Sequence, residues 1–158
     1  MFRKLLTTRS LCVSAVIAAL YAALTLLLAP FSYGNVQCRV SEAMTLLPMV
    51  LPQSIPGLFV GCLLANLLGG TTVWDIVFGS LATLIAAIGT YALREKPLLA
   101  ALCPVVANGV IVGAVLAFVY KLPLWLTMLE VAIGEVGAVI ICFAMLAALK
   151  RVDLSKYQ

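Results

Sequence analysis

Between Phe31 and Pro48 the chain reads FSYGNVQCRVSEAMTLLP, which sets Asn35, Gln37, Arg39, Ser41 and Glu42 between two long apolar runs. Further along, otherwise apolar stretches carry Asn66, Asp75, Asn108, Glu130 and Glu135. A carboxylate can take two N–H donors from an amidine-like edge or pair with an ammonium, and an amide offers both donors and an acceptor. Tyr33, Trp74, Phe78 and Trp125 supply faces that stack on a ring or lie under a cation. Together these residues suit a flat, cationic, donor-rich heterocycle. An anionic solute would want more than Arg39. The tryptophans fit equally well as anchors at a membrane surface.

The surroundings make this cluster costly. Of 158 residues, 65% are hydrophobic and 10% charged, with mean hydropathy +1.19; soluble domains carry about 25% charged residues. No soluble core of this size hides so much apolar surface, so the solvent is lipid. An ionised side chain near the bilayer centre costs roughly 2.5–3.5 kcal/mol on insertion scales. Glu42, Asp75, Glu130 and Glu135 together exceed what interhelical hydrogen bonds or an Arg39–Glu42 pair need for packing. The expectation is an all-α integral membrane protein, one domain over residues 1–158, that recognises a polar solute.

Six apolar runs supply the helices, at about 11–29, 40–51, 54–68, 74–93, 97–120 and 123–149. The first follows Arg3 and Lys4 like a signal peptide, but it outruns the usual apolar region of about 7–15 residues and more spans follow. The second holds Pro48 and is short for a bilayer of roughly 30 Å at about 1.5 Å per residue. Six spans put both termini on one side. Arg3, Lys4, Arg9, Arg94, Lys96, Lys150, Arg151 and Lys156 fall on that side, and only Arg39 and Lys121 on the other. The bias makes both ends cytoplasmic. It also accounts for the net charge of +4 without a nucleic-acid partner, for which no basic patch interleaved with aromatics is present.

Counting from the turns places the polar residues. Across a hairpin turning at Gly69-Gly70, Asn66 and Asp75 lie equally deep, roughly 7 Å. Across one turning near Lys121, Asn108 and Glu135 lie roughly 20 Å deep, and Glu130 roughly 13 Å, level with Gly113. Each hairpin sets an amide against a carboxylate, in the outer half of the bundle. On the first helix Ala15, Ala19 and Ala23 recur every four residues, with Ala18 and Ala22 in a second row. Such rows pack inside a bundle or dock another subunit closely. The five cysteines, Cys12, Cys38, Cys62, Cys103 and Cys142, are scattered singly and there is no histidine; they read as small buried hydrophobes rather than metal ligands.

The run GNVQCRVSEAMTLLP, Ala65-Asn66, WDIVFGSLATLIAA at 74–87, Asn108-Gly109 and Gly134-Glu135 together resemble the QueT family. These are substrate-binding S components of energy-coupling-factor (ECF) transporters, associated with uptake of queuosine precursors. The resemblance covers nearly the whole chain, and QxRxSEA is its most specific part. It implies an ECF S-component-like six-helix bundle in a bacterial cell membrane, binding its ligand from outside. It implies partners too: one transmembrane coupling protein, met through a small-residue surface on the first helix that Ala15, Ala19 and Ala23 fit, and two ATPases. The implied substrate is preQ1 (7-aminomethyl-7-deazaguanine), whose guanine-like edge and ammonium match Gln37, Arg39, Glu42, Asn66, Asp75, Asn108, Glu130 and Glu135, with Tyr33 beside them.

This chain carries no GxxxxGK[ST], so no cofactor is expected on it and ATP use falls to partners. The competing reading is a stand-alone proton-coupled carrier or small channel for a cationic solute, with Glu130 or Glu135 titrating. An S component for another vitamin or purine is the nearer variant. An intramembrane enzyme lacks a histidine base, GxSxG or a metal cluster to activate water.

Overall fold

The computed structural model describes residues 7–32 and 39–149, and these are helical throughout apart from short turns. Helix α1 (Thr8–Leu27) opens on Thr7, whose Oγ1 accepts from the Ser10 N–H at 3.3 Å. A single turn, α2 (Ala29–Ser32), follows. After the undescribed segment comes a 3₁₀ helix (Val40–Met49), then α3 (Ser54–Leu68). A π turn (Asp75–Gly79) runs straight into α4 (Ser80–Ala92), and α5 (Pro97–Tyr120) and α6 (Leu124–Leu149) close the chain.

Among the described residues four stretches are long and apolar enough to cross a membrane: Thr8–Leu27, Asp75–Ala92, Pro97–Tyr120 and Leu124–Ala144. The third expected span, α3, has 15 residues, about 22 Å of helix. The second is the 3₁₀ helix, about 20 Å long. Each of the six expected runs thus holds a helical segment among the described residues, but two fall short of a full hydrocarbon thickness. Large apolar side chains such as Leu27, Leu98, Phe118, Trp125 and Ile133 face outward, while Arg39, Glu42, Asn66, Asp75, Asn108 and Glu135 are buried. That inversion is what a lipid solvent imposes.

The 3₁₀ helix is the hub. It touches α1, α3, α4, α5 and α6. With three residues per turn its side chains stack in straight ridges at i, i+3. Ala43, Leu46 and Met49 form one ridge, against Ala101, Val139 and Cys142 of α5 and α6. Met44 and Leu47 form another, in a cluster with Ile17, Tyr21 and Ala22 of α1 and Leu58 and Cys62 of α3. Glu42, Thr45 and Pro48 make the third, all buried. Runs of 3₁₀ beyond 3–4 residues are uncommon; here three flat faces meeting three walls hold ten residues in that form.

Close contacts lock the outer helices onto each other. A Cβ on Gly57 would sit 2.5 Å from the Ser14 carbonyl oxygen, and one on Gly61 2.8 Å from Tyr21 Cβ. The second alanine row, Ala18 and Ala22, is buried in this α1–α3 seam. In α5, Gly113 meets Met128 of α6, its added Cβ falling 2.7 Å from the Met128 Cα. The space expected beside Gly113, at the level given to Glu130, is filled by Met128. Pro104 in α5 has no N–H for the Ala100 carbonyl, and the buried Thr90 hydroxyl of α4 donates to that oxygen at 3.4 Å.

Candidate functional site

Where the 3₁₀ helix meets α5 and α6, Arg39, Glu42, Asn108, Val112, Val131 and Glu135 enclose a cavity of about 10 Å³, room for a single water. The four polar residues are buried, none more than 6% exposed. Each arrives by a different route. Arg39 caps the 3₁₀ helix and its carbonyl accepts from the Glu42 N–H at 2.9 Å, starting the first turn. Asn108 sits midway along α5 beside Gly109, which has only the Ala132 Cβ within 3.2 Å of an added Cβ. That close approach of α5 and α6 lets the Asn108 amide donate to Glu135 Oε1 at 2.9 Å.

The bonding pattern leaves the cavity rich in acceptors. Tyr21 of α1 donates its hydroxyl to Glu42 Oε1, and the Thr83 hydroxyl of α4 lies 3.3 Å from the same oxygen. Glu42 Oε2, Glu135 Oε2 and Asn108 Oδ1 are buried and make no hydrogen bond among the described residues. Two carboxylates face one guanidinium. Buried polar atoms without a hydrogen bond are costly, so this lining favours a guest that brings several N–H donors.

A second polar group lies nearer the helix ends. Asn66 donates to the backbone carbonyl of Asp75 at 3.2 Å and is seated where Gly79 has no side chain, 3.1 Å from an added Cβ. The Asp75 carboxylate takes the Thr72 hydroxyl at 2.8 Å, and Thr72 Oγ1 accepts from the Asp75 N–H at 3.3 Å. This reciprocal pair caps the helical start at Val73, just ahead of the π turn. The two hairpins therefore differ from expectation: Asn108 does meet a carboxylate, whereas Asn66 meets a carbonyl. Asp75 Oδ1 and Asn66 Oδ1 keep no partner among the described residues.

Cys62 joins the two groups. Fully buried, its sulfur lies 3.5 Å from Asn66 Nδ2, 3.3 Å from Thr83 Oγ1 and 4.0 Å from Arg39 Nη1. It is a junction in a polar chain rather than the apolar filler expected, and Cys12 is exposed. Tyr21, Thr25, Thr83 and Cys62 were not singled out from sequence. A hydroxyl recurring on the α1 face that carries Ser14, Tyr21 and Thr25 was the available signal.

The remaining expected residues divide. Tyr33, Gln37 and Cys38 lie outside the described residues. Glu130 is half-buried and does not line the cavity. Trp74 and Phe78 stack on each other at 5.9 Å, and Trp74 and Trp125 are exposed; they stand on the outside as surface anchors do. Ala15, Ala19 and Ala23 are exposed on α1.

No solved structure matches the chain. The queuosine precursor transporter QueT of Lactococcus lactis subsp. cremoris (strain MG1363) is 38% identical over 73 residues, covering 45% of this chain and 43% of that relative. The alignment thus spans less than half of the relative's length. The family described as QueT transporter matches residues 11–151, nearly the whole of the described helical bundle, and the chain belongs to that family.

Proposed function

We propose that this chain is the substrate-binding membrane subunit of an ECF-type importer, and that it captures a queuosine precursor, preQ1. The observation that carries the substrate reading is the cavity of Arg39, Glu42, Asn108 and Glu135, with two carboxyl groups to one guanidinium and acceptor oxygens left unbonded among the described residues. A protonated aminomethyl group supplies the missing cation, and a guanine-like edge supplies further N–H donors. Membership of a transporter family and the name of the L. lactis relative support the same substrate class.

A bicyclic ligand is far larger than 10 Å³, so binding displaces side chains around the cavity. Tyr33 and Gln37, on the segment leading into the 3₁₀ helix, are proposed to close over the ligand, with Asn66 and Asp75 on its approach. The exposed Ala15, Ala19 and Ala23 face is proposed to meet a transmembrane coupling protein, and two partner ATPases to supply the energy. The bundle sits in the bacterial cell membrane with both ends cytoplasmic.

Calorimetric titration of preQ1 into the purified chain, with guanine and riboflavin as controls, tests the reading. Selective binding by the chain alone supports it. Binding absent both alone and in the presence of a coupling module overturns the substrate. Uptake into vesicles that follows a proton gradient without ATP would replace the importer with a proton-coupled carrier.

A further inference from the structure

We propose that Tyr21 is the positioning residue of the site: by occupying Oε1 of Glu42 it turns Oε2 into the cavity and makes the site select a cation over a neutral ligand of similar shape. The proposal rests on the substrate reading above and adds a residue from α1, a helix that contributes nothing to the cavity lining. Tyr21 is fully buried, and its phenol donates to Glu42 Oε1. A carboxylate on a short side chain still rotates about its terminal bond, because that torsion is broad. Tyr21 from one side and Thr83 from another remove this freedom, leaving one oxygen for them and one for the cavity.

The tyrosine is itself held. Its ring lies in the cluster with Met44, Leu58 and Cys62, and its Cβ abuts the bare face of Gly61. One turn on, Thr25 Oγ1 lies 2.7 Å from Ser41 Oγ, the residue before Glu42. Helix α1 is therefore bonded to the 3₁₀ helix at two successive residues, Ser41 and Glu42. The aim of the acid follows the position of α1.

Selectivity is the readout that separates positioning from plain packing. In Tyr21→Phe the ring stays and only the donor is lost. Glu42 then turns freely, and the cationic ligand preQ1 is expected to weaken at least about tenfold, the value of a lost charged hydrogen bond. Its neutral nitrile counterpart preQ0 should change less than about twofold, so the preQ1:preQ0 ratio falls. Thr83→Val should lower the same ratio by a smaller factor. Equal losses for both ligands in both variants, or no loss, would overturn the assignment.

A ligand-free measurement keeps a failure here distinct from a failure of the substrate reading. Difference infrared spectra against Glu42→Gln identify the Glu42 carboxyl bands in the protein alone. Tyr21→Phe is expected to shift those bands, and unmoved bands sink the proposal even if preQ1 binds. Shifted bands in a protein that binds neither ligand leave Tyr21 in its role and remove preQ1 instead.

Discussion

Glu42 and Glu135 both line the cavity, and each gives one oxygen to a neighbour and keeps the other without a hydrogen bond among the described residues. Removing one charge while keeping shape, as in Glu135→Gln, should weaken preQ1 by roughly tenfold to a hundredfold, as expected for a charge-assisted hydrogen bond. Glu130→Gln, on a half-buried residue outside the lining, should stay within a few-fold of the parent in the same titration. Equal losses in the two variants would mean the cavity is not where the ligand sits. The Asn108–Glu135 pair was legible from sequence because a regular helix advances by a fixed rise, so equal counts from a turn mean equal depth. The Asn66–Asp75 counting was equally sound for depth. The expected amide–carboxylate pairing did not form there, because the Asp75 carboxylate bonds the Thr72 hydroxyl at the helix start and Asn66 takes the Asp75 carbonyl instead. Tyr21 and Cys62 stayed hidden: nothing in a period shows which buried hydroxyl or thiol will meet a residue from a distant span.

At the scale of elements, bare glycine faces set the spacing between helices. Gly57→Ala forces a Cβ to 2.5 Å from the Ser14 carbonyl. Overpacking of this kind costs typically about 1–3 kcal/mol, so the variant should melt earlier in detergent with its ligand selectivity unchanged. Lys121 ends α5 with φ of 54°, and the Leu122 N–H closes the turn onto Ala117 O at 3.0 Å before Pro123. A side chain in that left-handed conformation is strained where glycine is not. Lys121→Gly is therefore expected to stabilise the chain by up to about 1 kcal/mol, read as a higher melting temperature. The helix count was visible in the hydropathy. The form of the second span was not, although its short length and Pro48 marked it as unusual; 3₁₀ winding is decided by the walls around it, which no local stretch encodes.

For the molecule as a whole, the two faces of α1 bear on assembly. The exposed Ala15, Ala19 and Ala23 face and the buried Tyr21 face share one helix. Ala19→Leu should leave preQ1 titrations unchanged and abolish uptake by the assembled importer; normal uptake would remove the docking surface from the proposal. Orientation is open to an impermeant amine reagent on intact cells. Lys121 should be modified from outside, and Lys96 only after lysis, with mass spectrometry of the peptides as the readout.

The winding of the Val40–Met49 segment has one more consequence. An α-helix turns by about 100° per residue and a 3₁₀ helix by about 120°. Across the seven steps from Glu42 to Met49, rewinding as α would swing the acid by roughly 140° about the axis and shorten that part of the rod by roughly 3–4 Å. The segment behaves as a screw thread whose pitch sets the bearing of its acid: hold the Met49 end fixed, change the pitch, and Glu42 no longer points at Asn108.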